Sequence, residues 1–459
     1  MKILAYINRP SVFLLACATY LPVAAAPVEI SSGNFSAITI EPVRESGLND
    51  IFIVNESGTV SVSYTATSAS SSPKWYRYSS LGGGHAEEIQ GVSYDGNVSS
   101  VSNAETDMGY IIEDNDNRYY FWIVGYGRHQ FSVNSVTVSE ESGCNQTILD
   151  IDGSGEEIHY YGINGRRFTL SREIEVSFLN LEWDDEQSDF IQTEQIKTIE
   201  SINHQVFLTP PAYCNTVFTV SGDRFMKEWG IGKTISSQPY VPVAVDCRTI
   251  AEQVSSGDTE NSNQISGGTE GLGGSAPAEI NFTAFITDAV IHTEWQMSRD
   301  GNFQNIDYRI SGQDLNFVFR DEGTIYARFV GSNSDGSCET YGETYTVNIG
   351  ASELKCPNAF SPGASEGVND EWKVSYRSII EFECWIFDRY GTQLYHFSDP
   401  EGGWDGKYRG KIVSPGVYYY VIKAKGADGK EYKRSGDINI IRSKGRKGTS
   451  GGGGAVPTE

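Results

Sequence analysis

The chain has 459 residues and a formal net charge of −25 at pH 7, a balance that argues against nucleic acid as a partner. Its length suits three or four domains of about 100 residues each. With 26 Tyr, 49 Gly and no long helix-periodic apolar segment, the composition points to an all-β chain of serial immunoglobulin-like β-sandwich domains, not to an α/β enzyme.

Residues 1–26 read as a signal peptide. Lys2 and Arg9 precede an apolar core, and Val23-Ala24-Ala25 is the preferred cleavage triplet. Leu14-Leu15-Ala16-Cys17 also spells a lipobox, which would make Cys17 a lipidated N-terminus. The apolar stretch after Cys17 favours ordinary cleavage. No later segment has the run of about 18 apolar residues that a membrane helix needs.

Residues 27–142 are expected to form a first β-domain. Residues 59–65 alternate, with Val60, Val62 and Tyr64 on one face. Residues 108–112 and 119–124 flank the polar stretch 113–118, a hairpin signal. The aromatic set at Trp75, Tyr76, Tyr78 and residues 119–126 fits core packing, with a sugar-stacking platform as the functional alternative.

Residues 143–254 are expected to form a second β-domain. Asp150-Ile151-Asp152-Gly153 and the acids at Glu156 and Glu157 hint at a calcium loop. The closing acid is missing, because the twelfth position is Tyr161, so an acidic turn is preferred. Trp183-Asp184-Asp185-Glu186 is a second acidic cluster, expected to be solvated. Residues 255–277 are a Gly/Ser linker by composition and mark a domain boundary. Residues 278–353 make a third unit. Its strand, Asp335-Gly336 turn and strand resemble the last hairpin of PKD-like and other immunoglobulin-like repeats.

Six cysteines remain after signal cleavage. Disulfides are expected among Cys144, Cys214, Cys247, Cys338 and Cys356, with the connectivity open. Cys384 shares a strand face with Phe382 and Ile386 and is expected to be a buried free thiol. No C-x-x-C, H-E-x-x-H, G-x-S-x-G or Walker pattern occurs, and the six His are scattered. No metal, cofactor or catalytic residue is assigned. Carboxylates are abundant, so a glycosidase pair stays open as an alternative.

The C-terminal stretch 354–442 is the most informative. Its landmarks are Asn358, Phe360 and Pro362 in NAFSP, and Asn369, Asp370 and Trp372 in VNDEW. Then come Phe387, Asp388, Arg389 and Gly391 in IFDRYG, and Trp404, Asp405 and Gly406 in WDG. Gly416, Tyr418 and Tyr420 in PGVYYY and Gly436 and Arg442 in GDINIIR complete the series. Residues 381–387 and 417–422 are β-branched and aromatic runs of strand length, and Asp388–Gly391 and residues 427–430 carry turn chemistry.

In order and spacing these blocks resemble the gliding-motility-associated C-terminal domain of Bacteroidota, the type B sorting domain of the type IX secretion system. The resemblance implies a small antiparallel β-sandwich that serves as an address read by an outer-membrane secretion machine. Two departures stand out. Residues 363–367 replace the family's N-G-D-G with a stretch one residue longer, so no role of the usual Asp is carried over. Residues 443–459, Gly-rich and polar, follow the final Arg442 and are expected to be a disordered tail.

Residues 405–447 carry eight Lys and four Arg against three Asp and one Glu, a net of +8, which leaves about −33 on the rest. This basic patch is either a solvated guard on sheet edges or a surface that meets lipopolysaccharide or the translocon. The expected function is that of an exported, non-catalytic surface or envelope binding protein. One alternative is a component or signalling ligand of the secretion system itself, resembling PorA-type proteins, with an envelope sensor kinase as partner. The other is a glycan-directed enzyme carrying a C-terminal sorting domain.

Overall fold

The computed structural model describes residues 27–68, 71–202, 204–254, 263–265, 271–363 and 369–441. The signal peptide, Cys17, Arg442 and the tail 443–459 lie outside the described residues, as does most of 255–277.

The fold is all-β and is built of serial immunoglobulin-like sandwiches. The first unit packs a five-stranded sheet on a six-stranded one. Val62, Trp75, Tyr110, Ile112 and Phe121 fill the space between them. The six-stranded sheet is covered on its other face as well. There Ile51, Ile53, Tyr78, Trp122 and Val124 join a core that continues through Leu149, Ile174, Phe218 and Phe225. The hydrophobic core therefore runs across residue 142 without a break. The sequence of the Asn117–Gly125 strand explains this. Its run Phe121-Trp122-Ile123-Val124 does not alternate, and all four side chains are buried. A strand buried on both faces reads as a continuous apolar stretch, and each such aromatic contributes about 2–3 kcal/mol by burial.

In the second unit, a four-stranded sheet is led by two eleven-residue strands, Ile174–Asp184 and Asp189–Ile199. The tip of this hairpin reaches the third unit, where Trp183 packs edge-on against Phe285 at 5.2 Å. Cys144 and Cys338 form a disulfide between the same two units. The acidic segment from Asp150 is neither a calcium loop nor a turn but part of the Thr147–Ser154 strand. Asp150 accepts a hydrogen bond from Gln205 at 2.9 Å and Asp152 one from Asn134 at 3.1 Å. Neighbouring strands on both sides of Thr147–Ser154 pull the carboxylates into a ladder.

The Cys247–Gln253 strand precedes the Gly/Ser segment in sequence, yet it pairs in full with Ala278–Ile286 of the third unit. Residues 255–277 thus connect two strands of one sheet. Composition marks a connection but does not say which strands it joins. The core of this unit is Trp295, Phe282, Phe319, Phe329 and Ile280.

The last unit has a five-stranded sheet in the order Ala359–Phe360, Glu431–Ile440, Gly416–Gly426, Ile379–Phe387, Gln393–Phe397. The short first strand runs parallel to its neighbour, and the others are antiparallel. Among the described residues, no helix is long and apolar enough to cross a membrane.

Candidate functional site

The motif residues of the C-terminal unit converge on one aromatic layer inside it. Trp372 and Trp404 are fully buried and are bridged through their backbones by reciprocal N–H···O bonds of 2.9 and 3.0 Å. Their indoles are satisfied too. Trp372 Nε1 donates to Pro357 O at 2.7 Å, and Trp404 Nε1 to Lys407 O at 3.0 Å. Tyr420 lies on Trp372 with ring centroids 4.9 Å apart, and Phe360 and Tyr418 flank Trp404 at 5.6 and 5.4 Å. Such tilted and edge contacts each add about 0.5–1.5 kcal/mol beyond burial.

The glycines of the motifs make room for this layer. Gly406 sits at φ +71°, and a Cβ there would meet Pro362 Cγ at 3.0 Å and Phe360 Cζ at 3.2 Å. A Cβ at Gly436 would meet the Tyr420 hydroxyl at 2.7 Å. Asn358 presents its carbonyl to the Asn439 backbone N–H at 2.9 Å, which fixes the parallel edge strand. Asn369 and Asp370 close the loop after NAFSP. The Ser361 N–H donates to Asn369 O at 2.9 Å, and the Gly363 N–H to Asp370 Oδ1 at 2.8 Å.

The acids of the motifs are turn builders. Asp388 accepts from the backbone N–H groups of Thr392 and Tyr390, both at 2.8 Å, and these bonds hold its carboxyl below the usual range. Gly391 completes that turn at φ +84°. Burial pushes Asp405 up, but hydrogen bonds and charge from Lys407 outweigh it and keep the group low. Arg389 stacks over Tyr390 at 4.8 Å. Phe387 lies beside the aromatic layer on the opposite face of the sheet, paired with Tyr419, and Gly416 pairs with Ile440, the neighbour of Phe360. Gly416 opens its strand at φ +154°. Arg442 lies outside the described residues.

Sequence reasoning missed two contacts around this unit. Asn263 and Ile265, from the Gly/Ser segment, form a strap on its edge. The Ile265 N–H donates to Tyr376 O, the Tyr376 N–H to Asn263 O, and Asn263 Nδ2 reaches Val374 O and Pro400 O at 2.6 and 2.7 Å. At the junction with the third unit, Ser352 Oγ lies within hydrogen-bond reach of Asp428 and Tyr432. An Asn within a low-complexity segment was the only signal for the strap.

Of the cysteines considered for disulfides, Cys144 and Cys338 are joined, while Cys214, Cys247 and Cys356 are free thiols. Cys384 is buried and free, and burial pushes its thiol up. Most of the large aromatics of the first unit are core. Trp75, Tyr78 and Trp122 are each 1 % exposed and belong to the core, while Tyr76, Tyr119 and Tyr120 are half-buried. Among the described residues, no cluster of His, Cys, Asp and Glu could hold a metal ion.

The fold and the site together define a multi-sandwich β-protein ending in an aromatic-layered module. Residues 354–440 match the family described as the CHU_C type IX secretion signal domain, and residues 135–237 match a fibronectin type III domain family. The chain therefore carries a CHU_C-type secretion signal domain, the gliding-motility C-terminal domain, together with a fibronectin type III-like domain. That signal implies interaction with the type IX machinery and export to the cell surface or beyond. Sandwich repeats and a secretion signal are typical of non-catalytic proteins.

No curated protein matches the chain. Among solved structures, a tetra-tandem repeat from the extending region of a large adhesion protein is 10% identical, covering 83% of this chain and 95% of its own, with a TM-score of 0.19. The three N-terminal domains of the bacteriophage RB49 Highly Immunogenic Outer Capsid protein are 10% identical, covering 68% and 100%, with a TM-score of 0.21. A Ca2+-stabilized adhesin with which an Antarctic bacterium binds ice is 12% identical, covering 92% and 100%, with a TM-score of 0.19. Similarities at these scores carry no weight for function.

Proposed function

We propose that the chain is a non-catalytic binding or display protein of the cell surface or envelope, delivered there by the type IX machinery of the outer membrane. The observation that carries this reading is the C-terminal unit, a secretion-signal match at the end of serial sandwiches. A second fact supports the non-catalytic part. The buried charged groups of the first two units are consumed by internal bonds. Arg172 pairs with Asp223, and Asp114 accepts from Tyr64 and Thr67. A catalytic acid or base needs a face open to substrate.

In this reading residues 1–26 are a removable leader, the first two units share one core, the third begins at Cys247, and the sorting unit spans 354–442. The sorting-motif residues act by building the folded address: Trp372, Trp404, Phe360, Tyr418 and Tyr420 as its interior, and Asp388, Asp405 and Asp370 as its turns.

The test is to locate the full chain and a version ending at Glu353 in a host with a working type IX system. The reading expects the full chain at the surface and the shortened one in the periplasm. If the shortened chain reaches the same place, delivery by the C-terminal unit fails. If the full chain instead stays in the periplasm and its loss changes expression of the secretion genes, the protein is a signalling component with an envelope sensor kinase as partner.

A further inference from the structure

The C-terminal sheet buries one face on the Trp372–Trp404 layer and leaves the other open. Along that open face, cross-strand partners make four rows. Phe387 pairs with Tyr419, and Tyr419 with Asp437. Trp385 pairs with Val421, and Val421 with Ser435. Glu383, Lys423 and Lys433 form the third row, and Glu381, Lys425 and Glu431 the fourth. The face is thus divided. One half is apolar, with Val417, Tyr419 and Val421 at 45, 45 and 38 % exposure beside half-buried Trp385 and Phe387. The other half is laced with ion pairs, Lys425–Glu381 and Lys433–Glu431 among them.

The apolar half is at the end of the sheet away from the third unit. That unit meets the sheet at Ser378 and Ala427, where Ser378 contacts Ser275, Ala276 and Gly350 and Ala427 O accepts from the Glu322 N–H. Nothing among the described residues covers Tyr419 or Val421. A solvent face of an antiparallel sheet is ordinarily polar, so a run of Val, Tyr, Phe and Trp there calls for a partner.

We propose that this apolar half-face, centred on Tyr419 and Val421, is the surface by which the sorting unit docks on a protein of the type IX outer-membrane machinery. The proposal rests on the delivery reading above. The partner presents an apolar patch, and Lys423, 5.7 Å from the Trp385 ring, borders the contact. Three exposed side chains beside two half-buried ones make a patch far smaller than the about 800 Å² per partner of a stable interface. That size disfavours a permanent dimer of this chain and suits a brief encounter with a machine that must release its cargo.

The test measures surface delivery of the full chain carrying Tyr419→Lys with Val421→Lys, against Lys425→Ala with Lys433→Ala on the charged half. The expected result is a fall of about tenfold in the surface fraction for the first pair, with periplasmic accumulation, and normal delivery for the second. Resistance to limited proteolysis checks folding. Should the lysine pair misfold, Tyr419→Thr with Val421→Thr places strand-favouring β-branched residues at both positions and should lower delivery in the same direction. Normal delivery of the folded variants, while removal of residues 354–459 blocks it, overturns this surface and leaves the delivery reading standing. Delivery that survives the removal overturns both. A full chain that is dimeric in solution, and monomeric only with the Tyr419 and Val421 changes, reassigns the face to self-association.

Discussion

Arg172 and Asp223 form an ion pair of 2.7 Å in which both side chains are withdrawn from solvent, at 1 and 0 % exposure. Each nitrogen of the guanidinium finds an acceptor, with Nε on Glu156 O and Nη2 on His129 O, both at 2.6 Å, and Nη1 on Asp223. Asp223 in turn accepts from Tyr126 Oη and caps the short helix through the Met226 N–H, both at 3.0 Å. Removing one partner leaves a buried charge without compensation. Arg172→Met is therefore expected to destabilise the first two units by about 3–5 kcal/mol. Urea unfolding followed by tryptophan fluorescence checks this, and an unchanged midpoint would contradict it.

The Asp114 carboxylate is also buried, and it accepts from Tyr64 Oη at 3.2 Å, from Thr67 N and Oγ1 at 2.9 Å, and from Ser71 Oγ. Burial pushes the group up, but these hydrogen bonds outweigh it, so its folded value lies below that of the unfolded chain. A depressed carboxylate contributes stability that is complete above its unfolded value, near 3.9, and is lost as the pH falls through the folded value. The first unit should therefore weaken on acidification below about pH 4. Asp114→Asn should cost about 1–3 kcal/mol at neutral pH and flatten that acid limb. Thermal unfolding from pH 7 to pH 2 of both proteins checks it.

In the C-terminal unit, Gly406→Ala puts a methyl group at a left-handed φ and within 3.0 Å of Pro362 Cγ. The expected loss is about 1–3 kcal/mol. Trp404→Ala empties the centre of the layer and should cost about 3–5 kcal/mol. Both variants should lose surface delivery because the unit unfolds, and protease sensitivity then separates them from Tyr419→Lys with Val421→Lys, which stays resistant.

The Cys144–Cys338 bond closes a loop with a sequence separation of 194 and holds the second unit to the third. Cys144→Ser is expected to lower stability by about 2–5 kcal/mol. It should also free the two units to separate, which limited proteolysis between them would detect. Peptide mapping without reductant should find this linkage and leave Cys214, Cys247, Cys356 and Cys384 open to alkylation after unfolding.

The local parts of this fold are legible in the sequence. Val60-Ser61-Val62-Ser63-Tyr64 alternates because one face of its strand is buried, and the polar stretch 113–118 marks a hairpin whose turn is Asn115-Asp116, with Glu113–Arg118 and Asp114–Asn117 paired as its last rungs. The sorting unit is legible for the same reason, since its glycines and acids sit at turns and its aromatics fall at fixed offsets from them. What escapes is long-range pairing. Nothing local in Cys247–Gln253 says that it crosses the Gly/Ser segment to reach Ala278–Ile286. Nothing in Asp150 or Asp152 says that strands on both sides will turn an acidic stretch into a ladder. The Cys144–Cys338 pairing is of the same kind, because cysteine count constrains parity and not partners.

That disulfide also bears on passage through the outer membrane. Once the bond has formed, the backbone between residues 144 and 338 is a closed ring. A ring cannot be drawn through a narrow channel as a single file of residues. Either the aperture admits whole sandwiches side by side, or the ring is sealed only after the chain has emerged. The oxidation state of Cys144 and Cys338 in material trapped before the outer membrane would separate a wide gate from a late seal.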